Sequence, residues 1–250
     1  MTNASHSRLC FLVLILLTLV LASNLSAAPY YYTDWQTWNP SQGTASGIIT
    51  PSSGPDVTVQ FDAIKDDGTN GSFMGVTGNT LWKPDATYIS SEVDNAPNFE
   101  GLQLVGTSNM TYQVTLSEAI KDPIMGIATL GSQSDSATYV FDSPFTILSQ
   151  GDSCCWGPGY LYDLGYQGPA GGYVLEGWEG SGIIQFIGTY DTFSWTVPDP
   201  EYWHGFTFGI RTTEALEPSD PDPVPEPSTI FLLGSGLLGL GWYGRKRKKA

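Results

Sequence analysis

Positive charge is scarce in this chain and is pushed to its ends. Ten Lys and Arg stand against 25 Asp and Glu in 250 residues, a formal charge of −15. Every acid lies between Asp34 and Glu226, while Arg8 and the run Arg245, Lys246, Arg247, Lys248 and Lys249 lie outside that range. Inside it, only Lys65, Lys83, Lys121 and Arg211 offset the 25 acids. A body so acidic repels phosphate backbones and anionic bilayers, so nucleic acid is excluded as a partner. The charge serves mainly to keep the surface solvated, with some attraction for divalent cations.

Histidine is nearly absent, with only His6 and His204. That removes most zinc sites and most Ser/His/Asp schemes, and no phosphate-cradling loop is present, so no cofactor is expected. Asp66 to Gly71 reads Asp-Asp-Gly-Thr-Asn-Gly, but counting twelve positions from Asp66 places Thr77 where a calcium loop needs a bidentate acid. A plain hairpin loop is expected there, and no metal.

Cysteine is limited to Cys10, Cys154 and Cys155. Adjacent α-carbons lie about 3.8 Å apart, below the usual disulfide span of about 4.4–6.8 Å. The adjacent pair therefore has three options: a strained vicinal disulfide, bonds to another chain, or buried thiols.

Long apolar runs occur only near the two ends. Residues 1–28 carry Arg8, an apolar block over 9–21 and the small residues Ser26, Ala27 and Ala28, the order of a secretory signal peptide cleaved after Ala27 or Ala28. Signal peptidase and the Sec translocon are the implied partners.

Sustained helical periodicity is also lacking between residues 29 and 216, where Gly and Pro recur every few residues. Short alternating segments appear instead: Val57, Val59 and Phe61; Tyr112, Val114 and Leu116; Phe206, Phe208 and Ile210. A period of two places these side chains on one face of a sheet. Further strands are expected at 124–130, 138–141, 145–149, 173–175, 182–187 and 192–197. The fold class is therefore all-β, an antiparallel jelly-roll-like sandwich.

Pro218, Pro221, Pro223, Pro225 and Pro227 then recur among acids, so 217–224 is an extended linker that cannot join a sheet. Beyond it, residues 228–243 are uncharged and mostly apolar. Ile230, Phe231, Leu232, Leu233, Leu237, Leu238, Leu240 and Trp242 form the candidate membrane span. About 16 helical residues rise roughly 24 Å, short of a full bilayer core, so the flanking residues must help. The basic run Arg245, Lys246, Arg247, Lys248 and Lys249 is the cytoplasmic stop. Gly234, Gly236 and Gly239 spell a dinucleotide-binding pattern but lack the surrounding strand and helix, and fit a helix-contact face better.

The run Val224-Pro225-Glu226-Pro227-Ser228-Thr229, the Gly- and Leu-rich span and the terminal basic cluster together resemble the PEP-CTERM sorting signal. That resemblance implies a bacterium that makes extracellular polysaccharide, and a membrane protease, exosortase, that recognises Pro225, Glu226 and Pro227 and cuts nearby. It also implies export to the cell envelope or extracellular matrix after transient anchoring in the inner membrane by the helix of the sorting tail, which spans 225–250 with its motif and basic cluster. The body resembles β-sandwich regions of other proteins with this tail around Glu176 to Gly182 and Trp203 to Gly209, a likeness that brings no known activity.

For the body, a non-catalytic structural role in or near exopolysaccharide is the first expectation. A carbohydrate-binding module is the alternative, resting on seven tryptophans outside the span. Trp195 alternates with Phe193 and Val197 and belongs to the core, whereas Trp156 in a Gly- and Pro-rich loop and Trp178 between two glutamates are candidate sugar platforms. A polysaccharide hydrolase is the second alternative, with Glu176, Glu179 and Glu201 as carboxylates whose separation the sequence does not give.

Overall fold

A computed structural model describes residues 29–169 and 171–211. The expected signal peptide and linker and the sorting tail lie outside the described residues. The described residues form thirteen strands: β1 Tyr31–Tyr32, β2 Asp34–Asn39, β3 Thr44–Ile49, β4 Val57–Lys65, β5 Gly75–Thr77, β6 Gly101–Lys121, β7 Ile124–Leu130, β8 Ala137–Phe141, β9 Phe145–Gly151, β10 Tyr160–Gln167, β11 Gly172–Trp178, β12 Gly180–Phe186 and β13 Thr189–Ile210. Every pairing is antiparallel, as the alternating pattern requires.

One continuous sheet makes both layers. Its long path runs β10-β11-β8-β13-β6-β4-β3-β2, and β7, β12 and β9 branch from β13. The 22-residue β13 belongs to both layers: Trp195 pairs with Tyr112 of β6 and Phe141 of β8, while Phe206 pairs with Ile127 of β7. The residues 192–197 and 206–210, expected as two strands, are thus two ends of one bent strand. Pro198 and Pro200 lie at the bend, where ladder register shifts between Val197 and Glu201 and again before His204. Proline has no N–H to give the ladder, so the pairing must break where it sits.

Folding the sheet over packs aromatic rings of the two layers against one another, tilted or edge-on. Phe206 of the second layer lies 5.4 Å from Phe61 and 5.1 Å from Trp195 of the first, and Phe193 lies 5.1 Å from Phe208. Trp195 is 1% exposed, in keeping with its alternation with Phe193 and Val197.

A second core covers the back of the second layer. The 3-10 turns Asn79–Trp82 and Asp85–Tyr88 press Leu81, Trp82 and Tyr88 against Ile124, Ala128 and Ile183. Trp82 Nε1 donates to the carbonyl of Phe99 at 2.8 Å, so burying the indole leaves no orphan donor. This explains why every residue of β7 is buried: a strand covered on both faces reads as an apolar run instead of an alternation. The first layer has no such cover, and Thr58, Gln60, Thr115, Thr192 and Ser194 alternate outward with buried Val59, Phe61, Val114 and Phe193.

The described chain closes on itself at its ends. Tyr31 pairs with Ile210, Asn95 exchanges two 2.8 Å bonds with the backbone of Tyr30, and Arg211 lies 4.8 Å above the Tyr30 ring.

Candidate functional site

Strand β10 is an edge, paired only with β11. Its register sets Tyr160 opposite Trp178 and Tyr162 opposite Glu176, and side chains two apart share a face, so all four project from the uncovered side of the first layer. The rings are left open: Tyr160 is 57% exposed, Tyr162 48% and Trp178 37%. With Gln133 and Pro158 they line a shallow groove of about 360 Å³. Single exposed aromatics are ordinary, but three on one face with an amide among them form a platform that could stack on the apolar face of a ring while a polar group takes its hydroxyls.

The loop 152–159 leads into the groove and lines it at Pro158. Cys154 and Cys155 are joined in a vicinal disulfide with their α-carbons 3.7 Å apart, the first of the three expected options. Ser153 holds the loop, its N–H donating to the Gly157 carbonyl at 3.1 Å and its hydroxyl accepting from Trp156 N–H at 3.1 Å. Trp156 is 41% exposed and meets Trp203 edge-on at 4.7 Å, and its carbonyl accepts from Gln133 Nε2. Gln133 therefore ties Trp156 to the groove that holds Trp178. Gly159 enters β10 where a Cβ would fall 1.9 Å from the Glu179 carbonyl, a close approach that only glycine allows.

The three glutamates part company. Glu176 sits on the open face beside Tyr162. Glu179 is 7% exposed and is the single residue between β11 and β12, where the chain passes from one layer to the other with φ of 50°. Thr129, itself at φ 57°, donates its hydroxyl to Glu179 Oε2. Glu201, at the bend of β13, accepts from Gly131 N–H at 2.6 Å through Oε1. Its Oε2 lies 2.8 Å from Nδ1 of the fully buried His204, at an angle too poor for a hydrogen bond, so the contact counts as a charge contact only when the imidazole is protonated. Burial raises the Glu179 carboxyl above its ordinary range, the Thr129 bond opposes this, and the neighbouring Glu201 charge adds to it. Both carboxylates thus bind backbone and hydroxyl donors where the sheet folds over, and neither lines the groove.

The Asp66 to Gly71 loop is a hairpin end. The Asp67 carboxylate accepts from Thr69 N–H at 2.9 Å and from its hydroxyl at 2.6 Å, and Gly68 N–H closes on the Lys65 carbonyl at 2.8 Å. Among the described residues no cluster of three or more His, Cys, Asp or Glu could hold a metal ion.

Pro225, Glu226, Pro227, the apolar span and the basic stop lie outside the described residues, and among those described no helix is long and apolar enough to cross a membrane. No solved structure matches the chain. Ammonium transporter 2 of Arabidopsis thaliana is 28% identical over 136 residues, covering 53% of this chain and 24% of the transporter, so the chain spans about a quarter of that relative's length. Residues 223–248 match the PEP-CTERM protein-sorting motif. The chain carries that sorting signal, which implies export, sorting to the cell envelope and an exosortase as processing partner.

Proposed function

We propose that this exosortase-sorted protein is a non-catalytic component of an extracellular polysaccharide matrix, and that it holds the glycan through the groove of Tyr160, Tyr162 and Trp178. The observation that carries the reading is the cross-strand pair of Tyr160 and Trp178, two large rings kept in register and in water on an edge strand. Aromatic faces stack on the C–H faces of pyranose rings, and the Gln133 amide and the Glu176 carboxylate are positioned to take hydroxyls. An acidic body selects against polyuronates, so neutral or amino sugars are the fitting class.

The tail serves delivery. Ile230 to Trp242 hold the protein in the inner membrane until exosortase acts near Pro225-Glu226-Pro227, and the body then passes to the envelope or matrix. A polysaccharide array probed with the purified mature protein tests the glycan reading. Retention on neutral glycans without release of sugar supports it; steady release of reducing ends would replace it with the hydrolase, and no retention on any glycan would remove it.

A further inference from the structure

The loop that carries the vicinal disulfide also fixes two of the five residues that line the groove. Loop 152–159 is pinned at both ends: the Thr87 hydroxyl donates to the Asp152 carbonyl at 2.7 Å, and Gly159 enters β10 against the Glu179 carbonyl. Between the pins, Cys154 is half-buried and Cys155 exposed. Trp156 follows at once, its carbonyl accepting from the Gln133 amide and its ring meeting Trp203, and Pro158 stands just beyond. Gln133 and Pro158 line the groove beside Tyr160, Tyr162 and Trp178. A disulfide between neighbours closes a small ring through the peptide bond that joins them, and so holds ψ of Cys154 and φ of Cys155, two of the torsions that aim Trp156. Once the ring is opened those torsions turn freely, and the Gln133 contact has to be ordered anew each time a ligand is bound.

We infer that this disulfide is a redox switch for the groove: glycan binding is off while Cys154 and Cys155 are thiols and turns on when they are joined. The inference rests on the carbohydrate reading of the groove and names its regulation. Its direction follows from export. A chain made in a thiol-rich compartment carries both residues as thiols, and sorting to the envelope brings it into an oxidising one, so the groove is completed only after the protein has left the cell interior. The step is a thiol–disulfide exchange with an oxidised dithiol acceptor. The thiolate of exposed Cys155 attacks the acceptor disulfide, and Cys154 then displaces the acceptor from the mixed disulfide. The protein pair gives up an electron pair and its thiol protons, and the acceptor leaves as a dithiol that has gained both. A reducing dithiol runs the same exchange backwards.

The test is titration calorimetry of the mature protein with cellotetraose, laminaritetraose and chitotetraose, first oxidised and then reduced with dithiothreitol, with hydrogen exchange over residues 152–159 read on the same samples. Alkylation and intact mass verify each state. Reduction should weaken binding of the sugar about tenfold and speed exchange of the Ser153 and Trp156 amides, and re-oxidation should restore both. The double variant Cys154→Ser/Cys155→Ser should behave as the reduced protein and ignore dithiothreitol; should it fail to fold, reduction of the wild type decides alone. Gln133→Ala should weaken binding and leave little for reduction to remove, because the contact that carries the switch is already gone. Equal affinity in the two states would overturn the switch while the groove stands. Loss of affinity with no faster exchange in the loop would overturn it too. If none of the three sugars binds the oxidised protein, the carbohydrate reading itself falls and the switch with it.

Discussion

Trp178 and Trp195 carry the same indole, and their surroundings decide what each can do. Trp195 is closed in by Tyr139, Phe141 and Phe206 at 6.1, 6.1 and 5.1 Å, so Trp195→Ala should cost about 3–5 kcal/mol in denaturant unfolding. Trp178→Ala, on the open face, should change the unfolding free energy by no more than about 0.5 kcal/mol while weakening glycan retention. Loss of fold in the second variant would show that the exposed ring is structural after all. Glu179 makes a different prediction. The folded protein holds its proton more tightly than the unfolded chain does, so its contribution is full below the ordinary carboxyl value of 4.5 and is lost as pH rises through the raised folded value. Glu179→Gln keeps an acceptor for Thr129 without the buried charge. Thermal melts of this variant should show a higher midpoint than wild type at pH 7 and a smaller fall between pH 4 and pH 7. A lower midpoint at pH 7 would mean that the ionised form is needed at this corner.

Among the elements, the cover over the second layer is the most open to attack. Trp82 is fully buried between the 3-10 turns and the sheet, and Trp82→Ala should destabilise by about 3–5 kcal/mol and expose apolar β7 and β12, read as denaturant midpoint and as binding of a hydrophobic dye. How legible each element was in the sequence follows from the same burial. Alternation around Tyr112 and Trp195 marked strands with one wet face, residues 124–130 stood out as an apolar run because both their faces are covered, and around Phe208 the buried Gly and Thr kept the alternation although both faces are covered there too. Strand β10 went unread because an edge with open tyrosines lacks an apolar face, and β2 because a register shift between Trp35 and Thr37 breaks its period of two. The cover segment has no period at all, being buried irregular backbone. Of the candidate site, the exposure of Trp156 and Trp178 was readable from their Gly-, Pro- and Glu-rich settings. Their company was not: Tyr160, Tyr162 and Gln133 reach Trp178 only through strand pairing and a loop contact, which leave no mark in local sequence. A Tyr-Leu-Tyr alternation was the one available hint.

For the molecule as a whole, the proposed function gives delivery and residence to separate parts. Glu226→Ala should leave the tail in the membrane but stop its processing, so that full-length protein accumulates in the membrane fraction. Neutralising Arg245, Lys246, Arg247, Lys248 and Lys249 should instead release uncut protein, since each cation resists passage through hydrocarbon by a few kcal/mol. Fractionation with intact mass separates the two outcomes, and normal cleavage in both variants would remove the sorting signal from the account. The described residues end just past β13, the strand shared by both layers and flanked there by β1 and β7. Tension applied along β13 from that end would load its hydrogen bonds together in shear, and the Arg211 contacts with Tyr30 and the Glu92 carbonyl would bear it first. Under the proposed anchoring, drag from a bound polymer would then have to slide a whole ladder at once instead of opening it bond by bond.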